Sequence, residues 1–122
     1  MNKGDKLNLG ENLLRRVYRT DKRCIDKKTG RPTSRAFVPR PKDDGKLSVN
    51  IERLTTYEKA IDDSERFILF SFFSDLAYKL GLNCIYDPVE NINLAHAIIT
   101  GFPVDDESIP GILARSSVKF GQ

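Results

Sequence analysis

The chain has no tryptophan, one histidine, one methionine and two cysteines in 122 residues, and each scarcity removes a class of protein. A single histidine cannot build the multi-histidine zinc sites of metalloenzymes. Cys24 and Cys84 lie far apart with no CxxC neighbour, which excludes a zinc ribbon and a dense disulfide framework. They read as buried or incidental thiols of a cytoplasmic protein. The opening MNKGDKLNLGEN is polar and carries no signal-peptide segment. The longest unbroken apolar run, residues 67–70, falls far short of the ~20 residues that cross a bilayer, so no membrane partner is expected. GxGxxG, a Walker loop, GxSxG and SxxK are all missing, and no cofactor is implied. No repeat or low-complexity block appears.

What the chain does have is charge, unevenly placed. Residues 1–60 hold 16 Lys and Arg against 8 Asp and Glu, and residues 61–122 hold 4 against 9, so that +8 and −5 give the net +3. A bipolar chain of this kind either pairs its halves internally or presents a basic face to an acidic partner. Between Arg15 and Lys46 stand twelve cations and four acids, with Tyr18 and Phe37 among them. Arginine forks fit phosphate oxygens, and serine, threonine and asparagine add short neutral donors.

The length suits one domain with one core. Residues 1–12 read as a flexible lead-in and residues 13–122 as the domain. The run around Arg16 fits a strand, with helix as the alternative. The stretch GRPTSRAFVPRPKDDGKLSVNI, residues 30–51, reads as a β-hairpin: two short strands at residues 36–38 and 47–51 around a turn rich in proline, aspartate and glycine. Leu47, Val49 and Ile51 share one face of its second strand, Ser48 and Asn50 the other. Thr55 or Thr56 caps a helix start. Leu69, Phe72, Phe73, Leu76 and Leu80 follow helical spacing, which predicts one main amphipathic helix over residues 64–80, stopped by Gly81. Residues 83–86 read as a strand ended by Asp87-Pro88, residues 94–100 as a strand or helix, and a short helix runs through Pro110 to Arg115. The expected fold is α+β, a small, mostly antiparallel sheet packed on that one helix.

Two site readings follow. The first is a binding or accessory protein whose basic hairpin region, with Arg16, Arg19, Arg31, Ser34, Arg35, Arg40, Lys42 and Ser48, meets an anionic partner, either nucleic acid or an acidic protein surface. The second centres on His96, nine positions after Asp87. If Asp87 reaches the ring the two form an acid–base pair with Arg16 and Ser48 near them; otherwise His96 is a structural strand histidine.

LLRRVYR, GRPTSRAFVPR, DDGKLSVN, LGLNCIYDP and NLAHAIITG, in that order, resemble a group of small bacterial proteins of uncharacterised function. The likeness spans residues 13–101 and brings no activity with it. It implies that Arg16, Ser34, Phe37, Ser48, Asn93 and His96 act together; the binding reading places the chain as a subunit within a bacterial or phage assembly. A fainter likeness to NAD-using ADP-ribosyl-transferase-like domains implies roles for Arg16, Ser48 and Glu58 in nucleotide chemistry.

Overall fold

Alternation in the first apolar run sets the frame, because Leu13, Arg15 and Val17 point one way while Leu14, Arg16 and Tyr18 point the other. That run is the strand β1 (Asn12–Tyr18) of a computed structural model that describes residues 1–121. With β2 (Leu47–Ile51), β3 (Phe67–Phe73), β4 (Asn83–Tyr86), β5 (His96–Thr100) and β6 (Val118–Phe120) it forms a single sheet in the order β4-β5-β2-β1-β3-β6. Every neighbouring pair is antiparallel. Three short helices accompany it: α1 (Tyr57–Ile61), α2 (Ser74–Lys79) and α3 (Ser108–Ser116). The chain is an α+β protein, as its composition and patterning predict.

The segment expected to be one long helix is divided. FILFSFF is β3, and six of its seven residues are buried. A strand covered on both faces reads as a continuous apolar run, and a run that continues into a helix mimics helical spacing. The helix starts only at Ser74, whose hydroxyl donates to Asn8 O at 2.8 Å and receives the Glu11 N–H at 3.2 Å. Its end is where the sequence puts it: Gly81 has φ +84°, and the Leu82 N–H returns to Ala77 O at 2.9 Å.

The expected hairpin over residues 30–51 is also different. Ser34–Phe37 is a 3-10 turn, and β2 pairs with β5 and β1 rather than with residues 36–38. Phe37 is fully buried and meets the edge of Phe72 with ring centroids 5.8 Å apart, so these apolar residues plug the core from a loop. The lead-in is tied down at Lys6, which bridges to Ile85, and Leu7 is buried. Thr56 is the helix cap, its hydroxyl accepting from Lys59 N at 3.2 Å.

One face of the sheet is closed. Leu13, Val17, Leu47, Val49, Ile51, Ala97 and Ile99 pack there under Ile25, Phe37, Leu113 and Ala114. The other face is only half covered. Ala60 and Ile61 of α1 lie on Leu14, Phe67 and Leu69, while Ser48, Asn50, His96, Ile98 and Ile85 on β2, β5 and β4 stay partly or fully open. Paired residues share a face, and the pairs Leu14↔Asn50, Asn50↔His96, Ser48↔Ile98 and Ile85↔Ile98 place this whole set on one side.

Candidate functional site

The central strands set the site's position. β1 and β2 are paired only at Leu13↔Ile51 and Leu14↔Asn50, and β1 runs on to Tyr18 beside β3. Where they part lies a cleft of about 970 Å³. Arg15, Arg16, Tyr18, Ser48, Asn50, Asn93 and His96 all line it. Its other end is made by the loop after β5, with Asp105, Asp106 and Glu107.

Arg15 fills the gap between the strands. It sits in the face of β1 that otherwise carries Leu13 and Val17, an inward position for a cation. Its Nε donates to Ala36 O and one Nη to Ser48 O, both at 2.9 Å. Among the described residues no carboxylate lies within ion-pair distance, and Nη2 has no hydrogen-bond partner. Protein encloses the guanidinium although part of the residue meets solvent. That burial, and then the charge of Arg40, push it down to about 10.

A second group is fixed in polarity by the backbone. Asn93 Oδ1 accepts the Ala95 N–H at 3.0 Å, so its amide nitrogen must face Asn50, where it donates to Oδ1 at 2.7 Å. Asn50 therefore keeps its NH₂ free. His96 Nδ1 lies 2.7 Å from Asp87 O and 3.2 Å from Asp87 Oδ2. A backbone carbonyl only accepts, so Nδ1 carries a proton, and in the neutral tautomer this selects, Nε2 is the acceptor. Asp87 thus reaches the ring, as the acid–base pairing requires, and through its carbonyl as well.

The other sequence candidates have several fates. Arg16 is exposed on the open face, 4.8 Å above the Phe67 ring and 3.9 Å from Asp62. Phe67 stacks with Tyr18 at 4.6 Å, and Arg66 lies 5.8 Å from the Tyr18 ring. Ser34 and Arg35 both hold Glu107, at 2.7 and 3.2 Å, and these contacts, Ser34's first, keep its carboxyl below the usual range. Arg40 is paired with Asp43 at 2.8 Å. Arg31 donates to Ala114 O, Arg115 O and Ser117 O at the end of α3, a cation on the negative end of a helix. Arg19 donates to Ser64 O at 2.8 Å, and Lys42 is exposed on a 3-10 turn. Glu58 is exposed on α1 and does not line the cleft.

Of the six residues the resemblance groups together, Arg16, Ser48, Asn93 and His96 line the cleft, whereas Phe37 is core and Ser34 holds the loop that ends at Glu107. Arg15 is the residue the sequence candidates leave out. Its signal was its phase: an arginine between Leu13 and Val17 on the apolar side of a strand. Among the described residues no group of three or more His, Cys, Asp or Glu is placed to hold a metal, and no helix is long and apolar enough to cross a membrane. Compared with known proteins, the chain matches no family model, no curated protein and no solved structure.

Proposed function

We propose that the chain is a binding protein for a small anionic ligand of the nucleotide class, seated in the cleft between β1 and β2 with its phosphate on Arg15. The observation that carries this is Arg15: a guanidinium enclosed at the strand split, answered by two carbonyls and no carboxylate, with donors left on its forked edge. Such a fork donates to two oxygens of one phosphate or carboxylate. The cleft volume lies at the upper end of the roughly 300–1,000 Å³ of small-ligand sites. Neutral hydrogen-bonding groups on Ser48, Asn50 and His96 suit the uncharged part of such a molecule.

A compact ligand fits better than a flat acidic surface. Arg31, Arg35 and Arg40 already have partners, and the acidic residues 105–107 at the far end disfavour a polyanion along the full length. A second reading, single-stranded nucleic acid, draws on the half-exposed Tyr18, stacked with Phe67 and flanked by Arg16 and Arg66, because bases stack on such platforms.

Calorimetry with nucleoside mono-, di- and triphosphates, inorganic phosphate and a labelled 12-mer oligonucleotide separates these readings. Saturable one-to-one binding of a nucleotide, lost in Arg15→Met, supports the first. Oligonucleotide binding that weakens steeply with salt, with no mononucleotide binding, supports the second. If no probe binds, both fail.

A further inference from the structure

The polarity-locked pair at the other side of the cleft narrows the ligand further, on the reading that the cleft holds a nucleotide. We infer that Asn50 and His96 together recognise a ribose hydroxyl, so that the site distinguishes ribonucleotides from their deoxy counterparts.

Two backbone groups fix the pair. The Ala95 N–H orients Asn93, and Asn93 orients Asn50 with its NH₂ unengaged. The Asp87 carbonyl holds Nδ1–H of His96, which makes Nε2 the acceptor of the neutral tautomer. Asn50 and His96 are direct cross-strand partners on β2 and β5, so their side chains leave the sheet side by side, Cβ atoms about 5 Å apart. What they present is one donor next to one acceptor, neither with a partner of its own among the described residues. A hydroxyl answers both at once: its oxygen accepts from Asn50 Nδ2 and its hydrogen goes to His96 Nε2. Phosphate cannot do this, since it has no hydrogen to give Nε2 in its dianionic form, and a deoxy position offers neither atom.

Register supports the assignment. Leu14 lies opposite Asn50, so Arg16, two residues further along β1, is displaced by about 6.6 Å along the strand. A ribose beside Asn50 thus leaves its phosphate within reach of Arg16, whose side chain leaves β1 on the same face, at the split where Arg15 fills the gap between the strands. Ser48, exposed on the same face, is displaced from Asn50 by the same two residues and falls opposite Arg16 in that register. The hydroxyl of ribose is the general means of telling ribo- from deoxyribonucleotides.

The test is calorimetry of the full chain with the four ribonucleoside 5′-monophosphates and their 2′-deoxy and 3′-deoxy analogues. At least one ribonucleotide binds about tenfold more tightly than one of its deoxy forms. Asn50→Leu and His96→Leu bring the ratio to within twofold; His96→Gln, which restores an acceptor, regains part of the ratio. The wild-type ratio needs no variant, so a misfolded mutant does not protect the inference. Equal binding of ribo and both deoxy forms overturns the hydroxyl assignment and leaves the nucleotide reading standing. Absence of all nucleotide binding overturns both.

Discussion

Replacing Arg15 with methionine removes a charge but keeps most of the volume, and the expected outcome is a stable protein that no longer holds its ligand. Keeping this guanidinium charged at a value near 10 in place of 12.5 costs about 3 kcal/mol. Its two hydrogen bonds, to Ala36 O and Ser48 O, are charge-assisted, and each returns about 1.5 kcal/mol, the low end of the range because the Ser48 bond lies at the solvent edge. The two effects nearly offset. Arg15→Met therefore changes stability by less than about 2 kcal/mol, against the 3–5 kcal/mol lost when one partner of a buried ion pair is removed. With a urea m-value of about 2 kcal/mol/M, that is at most about 1 M in the midpoint. Far-ultraviolet dichroism is the assay, because the chain has no tryptophan to follow. Nucleotide affinity falls by about 30- to 100-fold, the loss of a bidentate phosphate contact worth about 2–3 kcal/mol. Arg15→Lys keeps the charge without the fork and falls between. A loss of stability above 3 kcal/mol would show that Arg15 is a structural tie, and unchanged affinity in a folded variant would refute its role in binding.

Other expectations follow from the same contacts. Phe37→Ala empties a fully buried site against Phe72 and costs about 3–5 kcal/mol, read as a fall in the urea midpoint. Arg31→Gln frees the three carbonyls at the end of α3 and costs about 1–2 kcal/mol, while ligand affinity of the folded fraction does not change. Asp21, held by Arg23, Asp106, held by Ser108, and Glu107, held by Ser34 and Arg35, all have folded-state values below their unfolded ones. Their contribution is complete above the ordinary carboxylate range of about 4 and is lost as pH falls through the lowered values, so the urea midpoint is flat from pH 5 to 7 and drops below about pH 4. Burial pushes the Cys84 thiol up to about 12, so a disulfide reagent at pH 8 leaves it unmodified until urea is added; rapid native labelling would contradict its place in the core.

β2, whose apolar residues alternate, was legible in the sequence, β4 was bounded by Asp87-Pro88, β5 was read as strand or helix, and Pro110 marks the start of α3. β3 was not, because a strand between β1 and β6 with both faces covered has no polar phase to reveal its period. Phe37 was misassigned for the opposite reason: three apolar residues in a row look like a strand whether they enter a sheet or anchor a loop. The site was legible in part. Ser48 and Asn50 share a face in any strand reading, but their neighbours Arg16 and His96 come from strands more than thirty positions away, and only the register brings them together.

Part of the +8 of the first half is met by acids: Asp62 and Glu107 from the acidic half lie beside Arg16 and Arg35, and local acids take Arg23 and Arg40, while Lys22, Lys27, Lys28, Lys42 and Lys46 stay exposed with no acidic partner among the described residues. Paired exposed charges of this kind contribute little to stability and leave little field for a partner. Arg15 differs in being enclosed: it stands where β1 and β2 separate, bound to two carbonyls and, among the described residues, to no carboxylate. Anion binding at Arg15 would lower the cost of keeping that charge buried. Neither the count of arginines nor their density along the chain points to this residue; its phase between Leu13 and Val17 does.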